Sequence, residues 1–397
     1  MSLSWLEERG ATFGPVTVNG AGTARGVFAR EDLPAGALVA RIPDGAILSN
    51  QVAISTTPAG VLHARGDVAE GLLLTVAVLA LRGDPSWAPY LGDLPSHVEG
   101  HPTGWSATVR QGIRGTNLSE FLPDLEARTR QEVAVLRRTD IGLSTLSYAT
   151  WLAARTVVTS RRFSHESGSA LVPFGDLLNH APDPEVDWAW EDGAFVLTTR
   201  RAVPAGAELH DSYGSKSNTR LLLSYGFTLP DNPDEEVLLP RPNDGVLVLP
   251  RAESPRAAEV VEELGLDSAR AWRRFRSELE QRLAATPEVD PSLPVDARRL
   301  IEGERAVLMV AHEVDGGLGL FQERLAGLDV ADEGLGGLGV VAGPAPQGSE
   351  VEAVAEVDAH GRLVVLDELD QRLDGVGVGH VAVVVAEGHE AGRGAHR

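Results

Sequence analysis

The chain has 397 residues, a net charge of −22 and no cysteine. Its length exceeds one hydrophobic core, so two domains are expected, and its 43% hydrophobic and 23% charged residues exclude disorder throughout. The negative charge excludes nonspecific nucleic-acid binding as a primary role and suits basic protein segments, while the missing cysteines exclude disulfides, thiolate nucleophiles and cysteine-bound zinc.

Residues 2–9 read as a short helix closed by Gly10. VFAREDLPAGALVARIP predicts a hairpin, strand, turn at Leu33-Pro34-Ala35-Gly36, then strand. The same Pro-Ala-Gly-Ala device returns between Arg200 and Ala207, before another strand. Residues 68–82 form an apolar helix, and the run from Leu72 to Leu81 is far short of the roughly 20 residues that cross a bilayer, so no membrane partner is expected. MSLSWLEERG has no apolar signal core, which makes the cytoplasm the expected location. Residues 118–138 predict an amphipathic helix, with Glu120, Asp124 and Glu126 early and Arg137 and Arg138 late, as the helix dipole favours.

A third helix is expected from an N-cap at Ser144 through WLAARTVVTSRRF. Strands follow in ALVPF, VDWAW and AFVLTTR, of which VDWAW alternates and so has two distinct faces. Asn218 is the expected cap of TRLLLSY, which Gly226 ends. Beyond Pro230, GVLVLP predicts a last strand, and residues 255–285 and 296–326 predict a helical second domain. From Asp329 the chain turns Gly- and Val-rich, and poor order is expected over 329–397.

Two segments carry the chemistry: DLLNHAPDPEV, ending at Val186, and GAELHDSYGSKSNTRLLLSYGF, ending at Phe227. Taken singly, their residues have bland readings. Asn179-His180 suits a helix C-cap with a surface histidine, Tyr213 a strand aromatic, and Arg161 a helix-end charge. Gly334, Gly336 and Gly339 match a dinucleotide fingerprint but follow no strand and open no helix, so composition explains them. No HExxH is present, and Asp183, Glu185 and Asp187 after Pro182 read as a solvated turn, so no metal is expected.

Order and spacing together say more: paired strands, helical insert, Arg161, Asn179-His180, strands, a Pro-Ala-Gly turn, Tyr213, a capped helix and Tyr225. In this the chain resembles SET-domain protein methyltransferases of the Rubisco large-subunit methyltransferase type, well over residues 14–230 and by position and helicity over 231–326. The resemblance implies an α+β fold: a β-rich SET domain over residues 1–230 with a helical insert at about 50–160, then a mainly helical substrate-binding domain over 231–328. It implies S-adenosylmethionine as cofactor, with Gly26, Ser160, Arg161, Asp176, Asn179 and His180 on cofactor-binding positions, Tyr213 on the catalytic tyrosine and Tyr225 lining the channel for the target side chain. Ala24 stands where the first motif has its earlier glycine, and His210-Asp211 precedes Tyr213 where related motifs carry apolar or aromatic residues.

The activity so implied is methyl transfer to a lysine side chain of a protein substrate, by a monomer. A sulfonium donor asks the protein for alignment and an electron-rich collar more than for an acid or base, which suits tyrosine hydroxyls and backbone carbonyls. Three alternatives stay open: a histidine acceptor on the same fold, a SET-like module that binds peptide or cofactor without turnover, and a scaffold whose helical half mediates assembly.

Overall fold

Two Pro-Ala-Gly turns organise the β region, and they do so by pairing with each other. The computed structural model describes residues 3–20, 25–66, 70–240, 246–251 and 269–313. Ala24, residues 255–268 and 314–326 of the expected helices, the fingerprint glycines and the tail from Asp329 lie outside them. The chain opens with α1 (Leu3–Glu7), stopped at Gly10 with φ of 86°, and then β1 (Thr12–Phe13), β2 (Val16–Asn19), β3 (Gly26–Ala29), β4 (Leu38–Pro43) and β5 (Leu48–Ser49). A helical insert follows: α2 (Asn50–Thr56), α3 (Ala59–Arg65), α4 (Glu70–Leu81), α5 (Ala88–Leu91), α6 (Ala107–Gly112), α7 (Asn117–Arg138) and α8 (Tyr148–Thr159). The β region resumes with β6 (Arg162–His165), β7 (Gly168–Leu171), β8 (Asn179–His180), β9 (Val186–Glu191), β10 (Ala194–Thr199) and β11 (Glu208–Asp211), and α9 (Asn218–Tyr225) closes it.

The hairpin expected around Leu33-Pro34-Ala35-Gly36 does not form. β3 joins the sheet β2-β3-β11-β8, whereas β4 joins β1-β4-β10-β9. The second turn likewise carries the chain from β10 in one sheet to β11 in the other. The turns meet at Leu33 and Val203, whose backbones exchange hydrogen bonds of 2.8 and 2.9 Å and whose side chains are buried. A turn whose polar backbone is satisfied by its copy can release its flanking strands to separate sheets, which is why the device occurs twice.

Three helix boundaries also differ from expectation. Ser147, not Ser144, caps α8, its Oγ accepting from the Thr150 N–H at 3.0 Å. The helix stops at Thr159, because Arg162–His165 pairs with β7 and Phe163 packs edge-on against Phe195 and Trp188. Asn218 is the first residue of α9 rather than its cap. Its side chain is committed to Leu229, accepting from the N–H at 2.9 Å and donating to the carbonyl at 3.1 Å, so its own N–H donates to the Glu235 carboxylate.

The main core lies between the two sheets and the insert. α4 is buried nearly all round, as its uniform apolarity requires, and among the described residues no helix is long and apolar enough to cross a membrane. VDWAW turns Trp188 and Trp190 onto Phe195. After α9 the chain forms β12 (Glu236–Pro240) and β13 (Val246–Pro250), then α10 (Ala269–Ala285) and α11 (Val295–Glu313). GVLVLP therefore pairs with a strand that sequence reasoning missed, so the region opens as a hairpin. Val237, Leu239, Leu247 and Leu249 bury against Phe275, Leu279, Val307 and Leu308 of the helices.

Buried carboxylates fasten this C-terminal part to the rest. Glu304 of α11 accepts from the Asn117 N–H at 2.9 and 3.1 Å and from Thr219 Oγ1 at 3.0 Å, so it caps α7 and grips α9 together. Asp296 Oδ1 accepts from the N–H and hydroxyl of Thr228, just beyond α9. Burial pushes the Glu304 carboxyl up to about 8, against the favourable field of Arg282 and its own hydrogen bonds, and the neighbouring Glu235 is also pushed up by burial and by Glu304. A carboxyl raised in the folded state contributes stability that is complete below its ordinary value of 4.5 and is lost as pH rises through about 8. Wild-type protein is therefore expected to lose Tm as pH rises from 4.5 to about 8. Glu304→Gln, which keeps an acceptor for the Asn117 N–H, should flatten that slope by up to roughly 1.4 kcal/mol per pH unit. Parallel pH profiles for the two proteins in thermal denaturation would refute the assignment.

Candidate active site

β8 is only two residues long, yet it fixes the site. It runs parallel to β11 with Asn179 opposite His210 and His180 opposite Asp211, which sets the Asn-His pair beside the segment leading to Tyr213. The Tyr213 N–H donates to His180 Nδ1 at 3.1 Å, so the neutral ring carries its proton on Nε2. Burial lowers the His180 pKa and favours that neutral form. Upstream of β8, Phe174 adopts φ of 77° with its ring buried against Phe13, a strained conformation for a large residue, and the chain then turns through Gly175–Leu177 to present Asp176.

One half of the site is polar. Arg161, just past the end of α8, donates from Nη1 to Ser160 Oγ at 2.8 Å, and its Nε lies 3.9 Å from Asp176 Oδ2. The Tyr90 hydroxyl, from α5 of the insert, donates to the same Oδ2 at 3.1 Å. Asp176 is fully buried, and burial raises its pKa against the pull of Arg161. Arg161 Nε and Asp176 Oδ1 are buried here without a hydrogen-bond partner. An unsatisfied cationic donor beside an unsatisfied acidic acceptor costs free energy that a zwitterionic amino-acid group would recover. Asn179 Nδ2 donates to the Arg25 carbonyl at 3.0 Å and to Glu208 Oε1 at 2.7 Å. A Cβ on Gly26 would lie 2.2 Å from Glu208 Oε1, so this glycine leaves the room that the Glu208 carboxylate fills.

The other half is aromatic. The Tyr213 ring stacks on Tyr225 at 4.5 Å and on His180 at 5.1 Å, and Phe227 stands 6.1 to 6.4 Å from all three. The Tyr213 hydroxyl donates to the Leu178 carbonyl at 2.8 Å, which commits its proton and leaves its lone pairs as acceptors. Burial raises its pKa far above the usual range, with Asp211, Asp176 and Glu208 adding to the rise and Arg161 opposing it. Burial also pushes Asp211 up to about 7, although its carboxylate accepts from the Ser212 N–H at 2.7 Å.

Gly226 holds the aromatic wall against the insert. Its φ is 80°, a Cβ there would sit 2.4 Å from the Glu99 carbonyl, and one on Gly100 would sit 2.2 Å from the Gly226 carbonyl. Gly226→Ala is expected to cost about 1–2 kcal/mol from backbone conformation alone, and more from the clash, with Tyr225 and Phe227 displaced. Chemical denaturation measures the loss, and a variant as stable as wild type would contradict the contact.

The structure thus gathers Gly26, Ser160, Arg161, Asp176, Asn179, His180, Tyr213 and Tyr225 around one site. Sequence reasoning missed Tyr90, Glu208 and Phe227, and named Asp211 only as a departure from the motif before Tyr213. Phe227 directly follows Tyr225-Gly226 and was findable; Glu208 follows from the alternation of β11, whose buried face carries Leu209 and Asp211. Tyr90 gave no local signal. Asp183 and Glu185 are engaged by Arg201 at 2.7 Å each and Asp187 by Arg200 at 3.4 Å, so the acidic turn is ion-paired.

The SET domain family model matches residues 24–214. The chain is 26% identical to N-lysine methyltransferase setd6 of Xenopus tropicalis over 259 residues, 57% of this chain and 56% of that protein. It is 36% identical to ribosomal lysine N-methyltransferase set10 of Schizosaccharomyces pombe over 99 residues, 22% of this chain and 18% of that protein. The chain thus spans about half the length, or less, of these curated relatives. Among solved structures, the SET domain of LSMT bound to lysine and AdoHcy superposes with a TM-score of 0.64 at 18% identity, covering 83% of this chain and 91% of that one. Rubisco LSMT bound to AdoMet superposes with a TM-score of 0.63 at 19% identity, covering 85% and 96%. Residues 24–214 thus match the SET domain model, and the fold is the one shared with the Rubisco LSMT structures.

Proposed function

We propose that this protein is an S-adenosylmethionine-dependent protein N-methyltransferase acting on a lysine side chain. The observation that carries the reading is the Arg161–Asp176 ion pair, whose Arg161 Nε and Asp176 Oδ1 lack hydrogen-bond partners, together with the ring cluster of His180, Tyr213, Tyr225 and Phe227. The relatives named as lysine methyltransferases, and the LSMT structures bound to AdoMet and to lysine, support it.

The residues fit that cofactor. Arg161 offers its guanidinium, steadied by Ser160, to a carboxylate, Asp176 Oδ1 and the Asn179 amide offer acceptors to an ammonium, and His180 suits a remaining polar edge. Bound there, S-adenosylmethionine supplies an electrophilic methyl group on a sulfonium. The Tyr213 oxygen, its proton committed to Leu178, accepts weak C–H contacts and aligns the displacement. Tyr225, Phe227 and the Tyr213 ring align the aliphatic part of the acceptor and exclude water, which disfavours the charged ammonium and supplies the neutral amine that reacts. The reading extends to a monomer in the cytoplasm, with the helical region of about residues 231–328 docking a basic protein segment, for which the charge of −22 is the support.

The test is incubation of the purified protein with methyl-labelled S-adenosylmethionine and a cell extract, followed by mass spectrometry of labelled peptides. Methylated lysine is the expected product. Label on histidine would overturn the acceptor, and tight cofactor binding without transfer to any protein would favour the binding module.

A further inference from the structure

The orientation of the Asn179 amide is fixed by its surroundings. Nδ2 faces the Arg25 carbonyl and Glu208 Oε1. A carbonyl and an ionised carboxylate only accept, so turning the amide over would set oxygen against oxygen twice. Oδ1, on the far side of the planar group, makes no hydrogen bond to any described residue and is left as an acceptor in the polar half of the site. Two further observations single out Glu208. Gly26 provides the space for its carboxylate, since a Cβ there would overlap Oε1 at 2.2 Å and crowd Asn179 Nδ2 at 3.2 Å. Its other oxygen lies 3.7 Å from His210 Nε2, and His210 Nδ1 lies 2.8 Å from Glu185, itself held by Arg201. A carboxylate buttressed on both sides is a fixed strut.

We infer that Glu208 is a positioning residue for the methyl donor: as an obligate acceptor it locks Asn179 with Oδ1 turned to receive the ammonium group of the donor's amino-acid end. This rests on the S-adenosylmethionine reading above. A glutamine at 208 can donate to a flipped Asn179, and an alanine makes no contact with it, so in either variant only the Arg25 carbonyl still holds the amide and the lock is weakened.

The test is isothermal titration of the full chain, wild type, Glu208→Gln and Glu208→Ala, with two ligands: S-adenosylmethionine and 5′-methylthioadenosine, which lacks the amino-acid end. Both variants are expected to bind S-adenosylmethionine about tenfold more weakly, the worth of one hydrogen bond to a charged group, and 5′-methylthioadenosine within about twofold of wild type. Parallel weakening of both ligands in the isosteric Glu208→Gln protein would assign the residue to general packing and overturn the inference, as would unchanged S-adenosylmethionine affinity in both variants. Wild-type protein that binds neither ligand would overturn the methyl-donor reading itself, and the inference with it.

Discussion

Tyr213→Phe is expected to lower kcat for methyl transfer by about 10²-fold, the usual cost of deleting one preorganised polar group at a reacting centre, while cofactor affinity stays within about twofold. The ring would stay in place, because its stacking on Tyr225 and His180 does not involve the hydroxyl. The loss is confined to one oxygen, whose lone pairs face the site because its proton belongs to Leu178. Single-turnover kinetics beside a binding isotherm separates the two quantities. Unchanged kcat would remove the hydroxyl from the chemistry, and a parallel fall in affinity would make Tyr213 a cofactor ligand instead.

Arg161→Ala is expected to weaken S-adenosylmethionine binding by about 10²-fold, since truncating one member of a buried charge pair costs a few kcal/mol. Asp176 would then stay buried with only the Tyr90 hydroxyl at Oδ2, so its proton would be held more tightly and the Tm should also fall. Arg161→Lys restores charge but not the planar fork that reaches Ser160 and the ligand together, and partial recovery is expected. Calorimetric titration of the three proteins decides. Full affinity in Arg161→Ala would separate this guanidinium from the ligand's carboxylate.

The candidate residues that sit on recognisable motifs could be named before any fold was known. Arg161, Asn179-His180 and Tyr213 were named through the resemblance, from the order and spacing of their motifs, although β8 and Tyr213 are held by partners more than thirty residues away. Partners that arrive from elsewhere were not. Tyr90 reaches Asp176 across the fold from a short helix of the insert, and its own neighbours in sequence say only that it is apolar and buried. The cap of α9 failed for the same reason: Asn218 is a good capping residue in isolation, but Leu229 claims its side chain and Glu235 its N–H.

The sequence by itself determined the α+β class, the insert between two β regions, and the order in which the site's residues follow one another, because these depend on periodicity, turn chemistry and spacing along the chain. Tertiary structure alone decided that the two Pro-Ala-Gly turns pair with each other, that Gly26 makes room for Glu208, and that buried glutamates of the C-terminal part accept from the first turns of α7 and α9. These contacts join residues far apart in the chain. They are set by which buried donors and acceptors lack a nearer partner, a condition that exists only once the elements have packed.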